Sequence, residues 1–268
     1  MNEKVDPTEI KSCLDLLHGG RLFEVRAISS AGKIHFGYFD DTEIAAELVS
    51  QWANRNDYEG IYTTLNELHP GLICRMPNRF SLATGRSCTT SDSDIVRRRW
   101  YLIDVDANRP SGISSDEAEL FASRTIRDLL ADWFRVNWEG RLVKCCSGNG
   151  SHLLIEATDD ADKDDVKSFL EHICDIAIPS SDFDDLLNRV KVDTSVFNLA
   201  RITKLYGTFA RKGFSTKERP HRKSHVEGVI NDNWRSTSDD RIDCEDSATR
   251  KTECPEVLGE PWAWLSNH

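Results

Sequence analysis

Apolar positions recur along this chain with two different periods. Pro7 to His18 places Ile10, Leu14 and Leu17 at helical spacing before a Gly19-Gly20 stop. Leu22 to Ile28 and Ile34 to Phe39 alternate as strands do, around Ser29-Ser30-Ala31-Gly32, which predicts a hairpin. Thr42 opens a helix with Ile44, Leu48 and Trp52 on one side, and Ile61 to Leu65 reads as a short strand. A polar loop, Ser81 to Asp94, then leads through Arg97-Arg98-Arg99 into an apolar strand, Trp100 to Val105.

From there the pattern is strand, helix, strand, strand, helix, strand. Ser114-Ser115-Asp116-Glu117 carries a capping-box signature for a helix running to about Trp138. Leu142 to Cys146 and His152 to Glu156 are strands around the tight turn Ser147-Gly148-Asn149-Gly150. Asp162 opens a helix with Val166, Phe169, Leu170 and Ile173 on one face, ending before Pro179. Phe183 to Leu187 is a short helix, Val190 to Val192 a brief strand, and Leu205 to Phe209 a further one. This β-α-β-β-α-β order is that of the ferredoxin-like split βαβ arrangement. The expected class is therefore α+β, with a ferredoxin-like (RRM-like) sheet behind an N-terminal α/β lobe. The expected sheet has the first and third strands in the centre, the fourth beside the third and the second beside the first. The expected divisions are residues 1–95, 96–225 and an acidic extension, 226–268.

Composition adjusts this picture in three ways. The 268 residues carry 34 Lys and Arg against 45 Asp and Glu, a net charge of −11, which by itself argues against a nucleic-acid binder. No apolar run approaches the roughly 20 residues of a membrane helix, and the polar N-terminus has no apolar signal core. The expectation is a cytoplasmic protein with no membrane partner. Its eight cysteines, without a C-x-x-C pair, read as reduced thiols. His221, His225, Cys244 and Cys254 match no common zinc spacing. The segment after Lys223 is polar, with ten acidic and four basic residues between Val226 and His268, and is expected to be weakly structured apart from the apolar patch Trp262 to Leu265.

The candidate chemistry lies where charge is concentrated. In Tyr101-Leu102-Ile103-Asp104-Val105-Asp106, strand alternation sends Asp104 and Asp106 to the same face. Two adjacent carboxylates repel unless a cation sits between them, and oxygen ligands suit Mg²⁺ or Mn²⁺. Asp193 follows a second apolar strand and supplies a third carboxylate, enough for two divalent ions if the three converge. The glycines of Ser147-Gly148-Asn149-Gly150-Ser151-His152 would let backbone approach a phosphate. Arg201 to Lys223 holds eight basic residues and one acid, and Arg97 to Arg99 adds a second cluster. Such patches bind phosphate backbones whatever the net charge.

Taken in order, these motifs resemble the archaeo-eukaryotic primase superfamily, in particular the primase-polymerase domains of plasmids, phages and CRISPR-associated loci. The matching residues are Leu102 to Asp106, Ser147 to His152, Val192-Asp193 and the following Asn198 to Thr208, with Tyr62 to Asn66 and Thr89 to Trp100 upstream. The likeness covers roughly residues 60 to 225. It implies a DNA primase/polymerase performing template-directed nucleotidyl transfer from NTPs or dNTPs. Asp104, Asp106 and Asp193 would be catalytic and would hold two divalent ions, Mg²⁺ or Mn²⁺. Ser147, Gly148, Asn149, His152, Arg201 and Lys204 would contact the nucleotide. Arg97, Arg98, Arg211 and Lys212 would track single-stranded template and primer DNA, with a helicase or a CRISPR adaptation partner as further candidates. One departure is Gly150, where many members carry Ser in an S-x-H pattern. Two rival readings remain open at this point: a metal-dependent nuclease or phosphodiesterase, and a non-catalytic RRM-like nucleic-acid-binding module.

Overall fold

The computed structural model describes residues 4–231 apart from 56, 86–87, 159 and 179–180. Cys244, Cys254 and the Trp262 to Leu265 patch lie outside the described residues. The chain folds as α+β around two five-stranded antiparallel sheets.

The first sheet is built on the predicted hairpin, β1 (Phe23–Ser29) and β2 (Ile34–Phe39), in register from Phe23 opposite Phe39 to Ile28 opposite Ile34. β3 (Tyr58–Thr64) pairs with the other edge of β1. A two-residue β4 (Glu67–Leu68) follows, and β5 (Ser81–Leu82) extends the sheet beyond β2. Two helices, α1 (Pro7–His18) and α2 (Thr42–Ala53), pack on each other; Asp6 and Asp41 cap their first turns by accepting from backbone N–H groups. β6 (Ile95–Arg97) pairs with β4 and leads into the second sheet.

That sheet centres on β7 (Trp100–Ala107), a strand longer than its apolar run because Asp106 and Ala107 continue the pairing. α3 (Glu117–Asn137) starts at Asp116, which closes a capping box with Glu119. The box therefore sits two residues later than the serines suggest, and the Ser114 hydroxyl instead donates to the Lys212 carbonyl at 3.2 Å. β8 (Leu142–Cys146) and β9 (Gly150–Glu156) form the second hairpin, followed by α4 (Lys163–Ala177), the single turn α5 (Asp184–Leu187) and β10 (Val190–Val192).

The strand order is β10-β7-β9-β8, followed by a fifth strand formed by His225–Ile230. The central pair is as expected, but the outer strands are exchanged: β10 lies beside β7, and β8 beside β9. The physical reason is the tight turn. A three-residue connection obliges β8 and β9 to be neighbours; β10 takes the free edge of β7, and the outer edge of β8 goes to the fifth strand.

Two further differences lie near the C-terminal end. Leu205 to Phe209 is not a strand. Ile202–Lys204 forms β11, which crosses to the first sheet and pairs with β3, and Phe209–Ala210 forms β12. Between them the chain turns at Tyr206-Gly207; Gly207 has φ +95°, and a Cβ there would meet the Ile10 side chain at 3.2 Å. β13 (Arg222–Lys223) pairs with β12. The segment read as weakly structured then contributes β14 (His225–Ile230), antiparallel to β8. Its polar alternation hid it, because only one of its faces is covered.

The face of β7 that carries Ile103 and Val105 packs under α3, with Ile126, Leu130 and Phe134 buried above it. α4 lies alongside, its Phe169 ring 6.0 Å from that of Phe134. The opposite face, with Leu102, Asp104 and Asp106, looks toward β3 and β11 of the first sheet. Among the described residues, no helix is long and apolar enough to cross a membrane. The two faces of α3 allow a direct check. Phe134 is fully buried and Phe121 is 64% exposed. Phe134→Ala is expected to cost roughly 3–5 kcal/mol in chemical denaturation, whereas Phe121→Ala should change stability by less than about 0.5 kcal/mol.

Candidate active site

A cleft of about 250 Å³ opens between the two sheets. On one wall are Asp104 and Asp106 from β7, Ser147 and Asn149 from the turn, and His152 from β9. On the other are Glu59 and Tyr62 from β3 and Arg201 to Lys204 around β11, with Ala210 and Lys212 closing one side. The alternation of β7 is visible in its exposure: Asp104 and Asp106 are half-buried between buried Ile103, Val105 and Ala107.

Asp104 is positioned from three directions. Its backbone pairs with His152 across β9 and accepts the Asp193 N–H at 2.9 Å. Its carboxylate lies 3.4 Å from His152 Nε2. His152 is buried and held at its other nitrogen by the Tyr206 hydroxyl at 2.8 Å and Thr203 Oγ1 at 3.2 Å. Burial works to raise the Asp104 carboxyl, but His152, with Lys212 and Arg201 adding to it, more than offsets this and holds Asp104 low. Asp106 shifts the other way, raised by burial and by the Asp104 charge, with Arg109 opposing at 3.6 Å. These neighbours relieve the negative charge of the pair only in part.

Gly150 explains its own identity. It lies opposite Asp106, and a Cβ there would approach the Val105 carbonyl at 2.7 Å and Asp106 Oδ1 at 2.8 Å. A side chain at this position would require the backbone to move. Gly148, with φ +94°, lets the turn pack against Ala210 and the Arg222 carbonyl. Ser147 Oγ accepts the Gly150 N–H at 3.0 Å, which fixes the turn. Ser151 faces away from the cleft, toward Ser123 on α3. Asn149 Oδ1 accepts the Ser115 N–H at 3.1 Å, while its buried Nδ2 has no hydrogen-bond partner.

Asp193 stands beside this group without joining it. Its carboxylate caps the following turn, Oδ1 accepting from the Ser195 N–H at 2.9 Å. Arg201 lines the cleft, where its Nε donates to Asn198 and its Nη2 to the Ser195 carbonyl, and where Asp193 and Asp104 both attract it. Lys204 is buried, donates to the Phe209 carbonyl at 2.8 Å and lies over the Tyr62 ring. Burial, reinforced by Arg211 and Lys212, lowers its pKa to about 7.

The basic segments are more engaged than their composition implies. Arg219 pairs with Glu119 and Asp116, Arg222 with Glu117, and Lys223 with Glu9. Arg98, expected to face DNA, is buried over the Tyr101 ring and donates to the Phe197 carbonyl. Arg97 is exposed on β6, opposite Glu67 and away from the cleft lining. Arg211 is half-buried over Phe209 and donates to the Ala53 carbonyl. Lys212 is exposed and reaches the cleft. Sequence reasoning missed Glu59, Tyr62, Arg109, Thr203 and Tyr206. Of these, Tyr62, Thr203 and Tyr206 lie in segments that carry the family likeness, and Arg109 stands three residues after Asp106.

Among the described residues, the His/Cys/Asp/Glu group with all donor atoms within 4.8 Å of one another is Cys146, His225 and Glu227, on the β8–β14 pair. Its carboxylate is already occupied by Arg124 at 3.0 Å and by Arg127.

No family model matches the chain, and no curated protein matches it. Among solved structures, a crystal structure of the primase RepB' aligns with 10% identity and a TM-score of 0.44, over 85% of this chain and 57% of that one. This chain thus spans little more than half the length of that structure's chain.

Two outcomes are expected. Gly150→Ala should cost about 1–3 kcal/mol in denaturant melts, since backbone must move to admit the methyl group. Glu227, held down to about 2 chiefly by its hydrogen bond to His225, with Arg127 also lowering it, contributes stability that is present above the usual carboxylate range and lost as pH falls toward 2. Acid titration of stability should therefore be shallower in Glu227→Gln than in the wild type.

Proposed function

We propose that this chain is a divalent-metal-dependent nucleotidyltransferase of the primase-polymerase type, adding nucleotides from NTPs or dNTPs to a primer along a single-stranded DNA template. The observation that carries this reading is the pair Asp104 and Asp106 facing, across one cleft, the cationic groups Arg201, Lys204 and Lys212. A triphosphate needs such positive groups, and a divalent ion needs the carboxylates. We read the β10-β7-β9-β8 order, with α3 and α4 on the face away from the cleft, as the ferredoxin-like (RRM-like) arrangement.

The donor set fits Mg²⁺ or Mn²⁺. Asp106 is raised by burial and by its neighbour's charge, and the latter is the repulsion that a hard cation bound by carboxylate oxygens would relieve. Asp104 and Asp106 would hold the ions, and Asp193 would join them if its carboxylate left the Ser195 turn. When bound, such ions supply charge neutralisation for phosphate oxygens and a lowered pKa for an attacking hydroxyl.

The remaining roles belong to side chains already in place. His152, fixed by Tyr206 and Thr203, orients the Asp104 carboxylate. Arg201 and Lys204 would bind the triphosphate, Lys204 gaining a proton as phosphate charge approaches. The unpartnered Asn149 Nδ2 is a donor at the same wall. This is stabilisation by preorganised charge rather than covalent catalysis. Base pairing with the template would supply sequence information, so side-chain readout is not required.

Extension of a labelled primer in Mg²⁺ and in Mn²⁺, with each nucleotide class, tests the reading. Asp104→Asn and Asp106→Asn are expected to lower extension by at least about 100-fold, in line with loss of a principal electrostatic group, while thermal melting shows both variants folded. Shortening of the labelled strand would instead favour a nuclease. Unchanged extension by Asp104→Asn would remove the metal assignment.

A further inference from the structure

Phe214 is 94% exposed, more than any other large apolar side chain among the described residues. It projects from the loop between β12 and β13, which also carries the exposed lysines Lys212 and Lys217. Lys212 lines the cleft, and two residues of extended chain span at most about 7 Å. Phe214 therefore stands at the cleft's rim.

The loop is braced on both sides of this residue. Gly213 adopts φ +62° and packs so closely on the Gly112 carbonyl that a Cβ would lie 2.2 Å from it. The Ser114 hydroxyl donates to the Lys212 carbonyl at 3.2 Å, and His221 Nε2 lies 2.9 Å from the Gly213 carbonyl. Beyond Phe214, the His221 N–H donates to Ser215 Oγ and the Arg219 N–H to Thr216 Oγ1. Arg219 and Arg222 fasten the same loop to the start of α3 through Glu119, Asp116 and Glu117. Those arginines are spent on holding the loop, which leaves Lys212 and Lys217 as its exposed cations.

We infer that Phe214 is a stacking platform for an unpaired base of a single-stranded nucleic acid, whose phosphates run along Lys212 and Lys217 into the cleft. This rests on the proposed function and adds to it the place where a strand is gripped. An aromatic face beside lysines is the combination that binds single strands without sequence preference. A braced backbone means that little ordering cost is paid on binding. An apolar protein partner would meet the same ring, but the flanking lysines favour a polyanion.

The test uses the full chain and a fluorescein-labelled oligothymidylate, with affinity read by anisotropy and template-directed extension measured on the same proteins. Phe214→Ala is expected to weaken binding by roughly 5- to 150-fold, the range of one base–aromatic stack, with an unchanged melting temperature and an unchanged dependence on salt. Phe214→Tyr should retain affinity and Phe214→Leu should not. Lys217→Gln should instead flatten the salt dependence by about 0.7 in logarithmic slope, the value for one phosphate contact on a single strand. Wild-type affinity in Phe214→Ala, or in Phe214→Leu, would overturn the inference while extension by the wild type left the proposed function standing. A wild-type chain that neither binds the oligonucleotide nor extends a primer would overturn both.

Discussion

Everything in the cleft depends on β7 being paired along both edges. β9 holds one edge from Trp100 to Asp106 and β10 holds the other from Val105 to Ala107, with the Asp193 N–H continuing that pairing to the Asp104 carbonyl. A strand fixed on both sides cannot slip by one residue, and such a slip would send both aspartates into the apolar layer beneath α3. The cost of this rigidity is a pair of half-buried like charges. It is partly met by His152 and Arg109, each supported in turn by groups outside the sheet. Tyr206 comes from the turn after β11, and Arg109 from the loop leaving β7.

The crossing of β11 into the first sheet gives the cleft its second wall. Without it, Thr203 would not reach His152, and Lys204 would not lie over Tyr62. β11 thus belongs to the first sheet while its side chains face the carboxylates of the second. The turn at Tyr206-Gly207 completes the arrangement, placing a buried phenol behind the imidazole and returning the chain toward Ala210 and Lys212.

Charge in this molecule is governed by position. The sequence count from Arg201 to Lys223 suggests a broad basic face, yet Arg219, Arg222 and Lys223 are paired with acids on α3 and α1. Exposed ion pairs of this kind add little stability individually, but together they fasten a loop against a helix start. The basic character left at the cleft is correspondingly narrow: half-buried Arg201, buried Lys204 and exposed Lys212.

Much of this was legible in the residues alone. The period-two alternation of Trp100 to Asp106 is a local property, and it put Asp104 and Asp106 on one face before any neighbour was known. The hairpins of β1–β2 and β8–β9 were likewise legible, because short turns oblige adjacent strands to pair, and so were the helices with acidic caps. Tertiary structure decided what lies across space. It exchanged the outer strands of the second sheet, turned the Asp193 carboxylate onto its own turn, buried Arg98, and brought Tyr62, Thr203 and Tyr206 to the cleft from distant parts of the chain. Alternation and turn length act between residues a few positions apart, so sequence carries them. Which edge a strand joins, and which acid an arginine meets, depends on packing between segments about a hundred residues apart, as for Arg219 and Glu119, and that is settled only when the whole core closes.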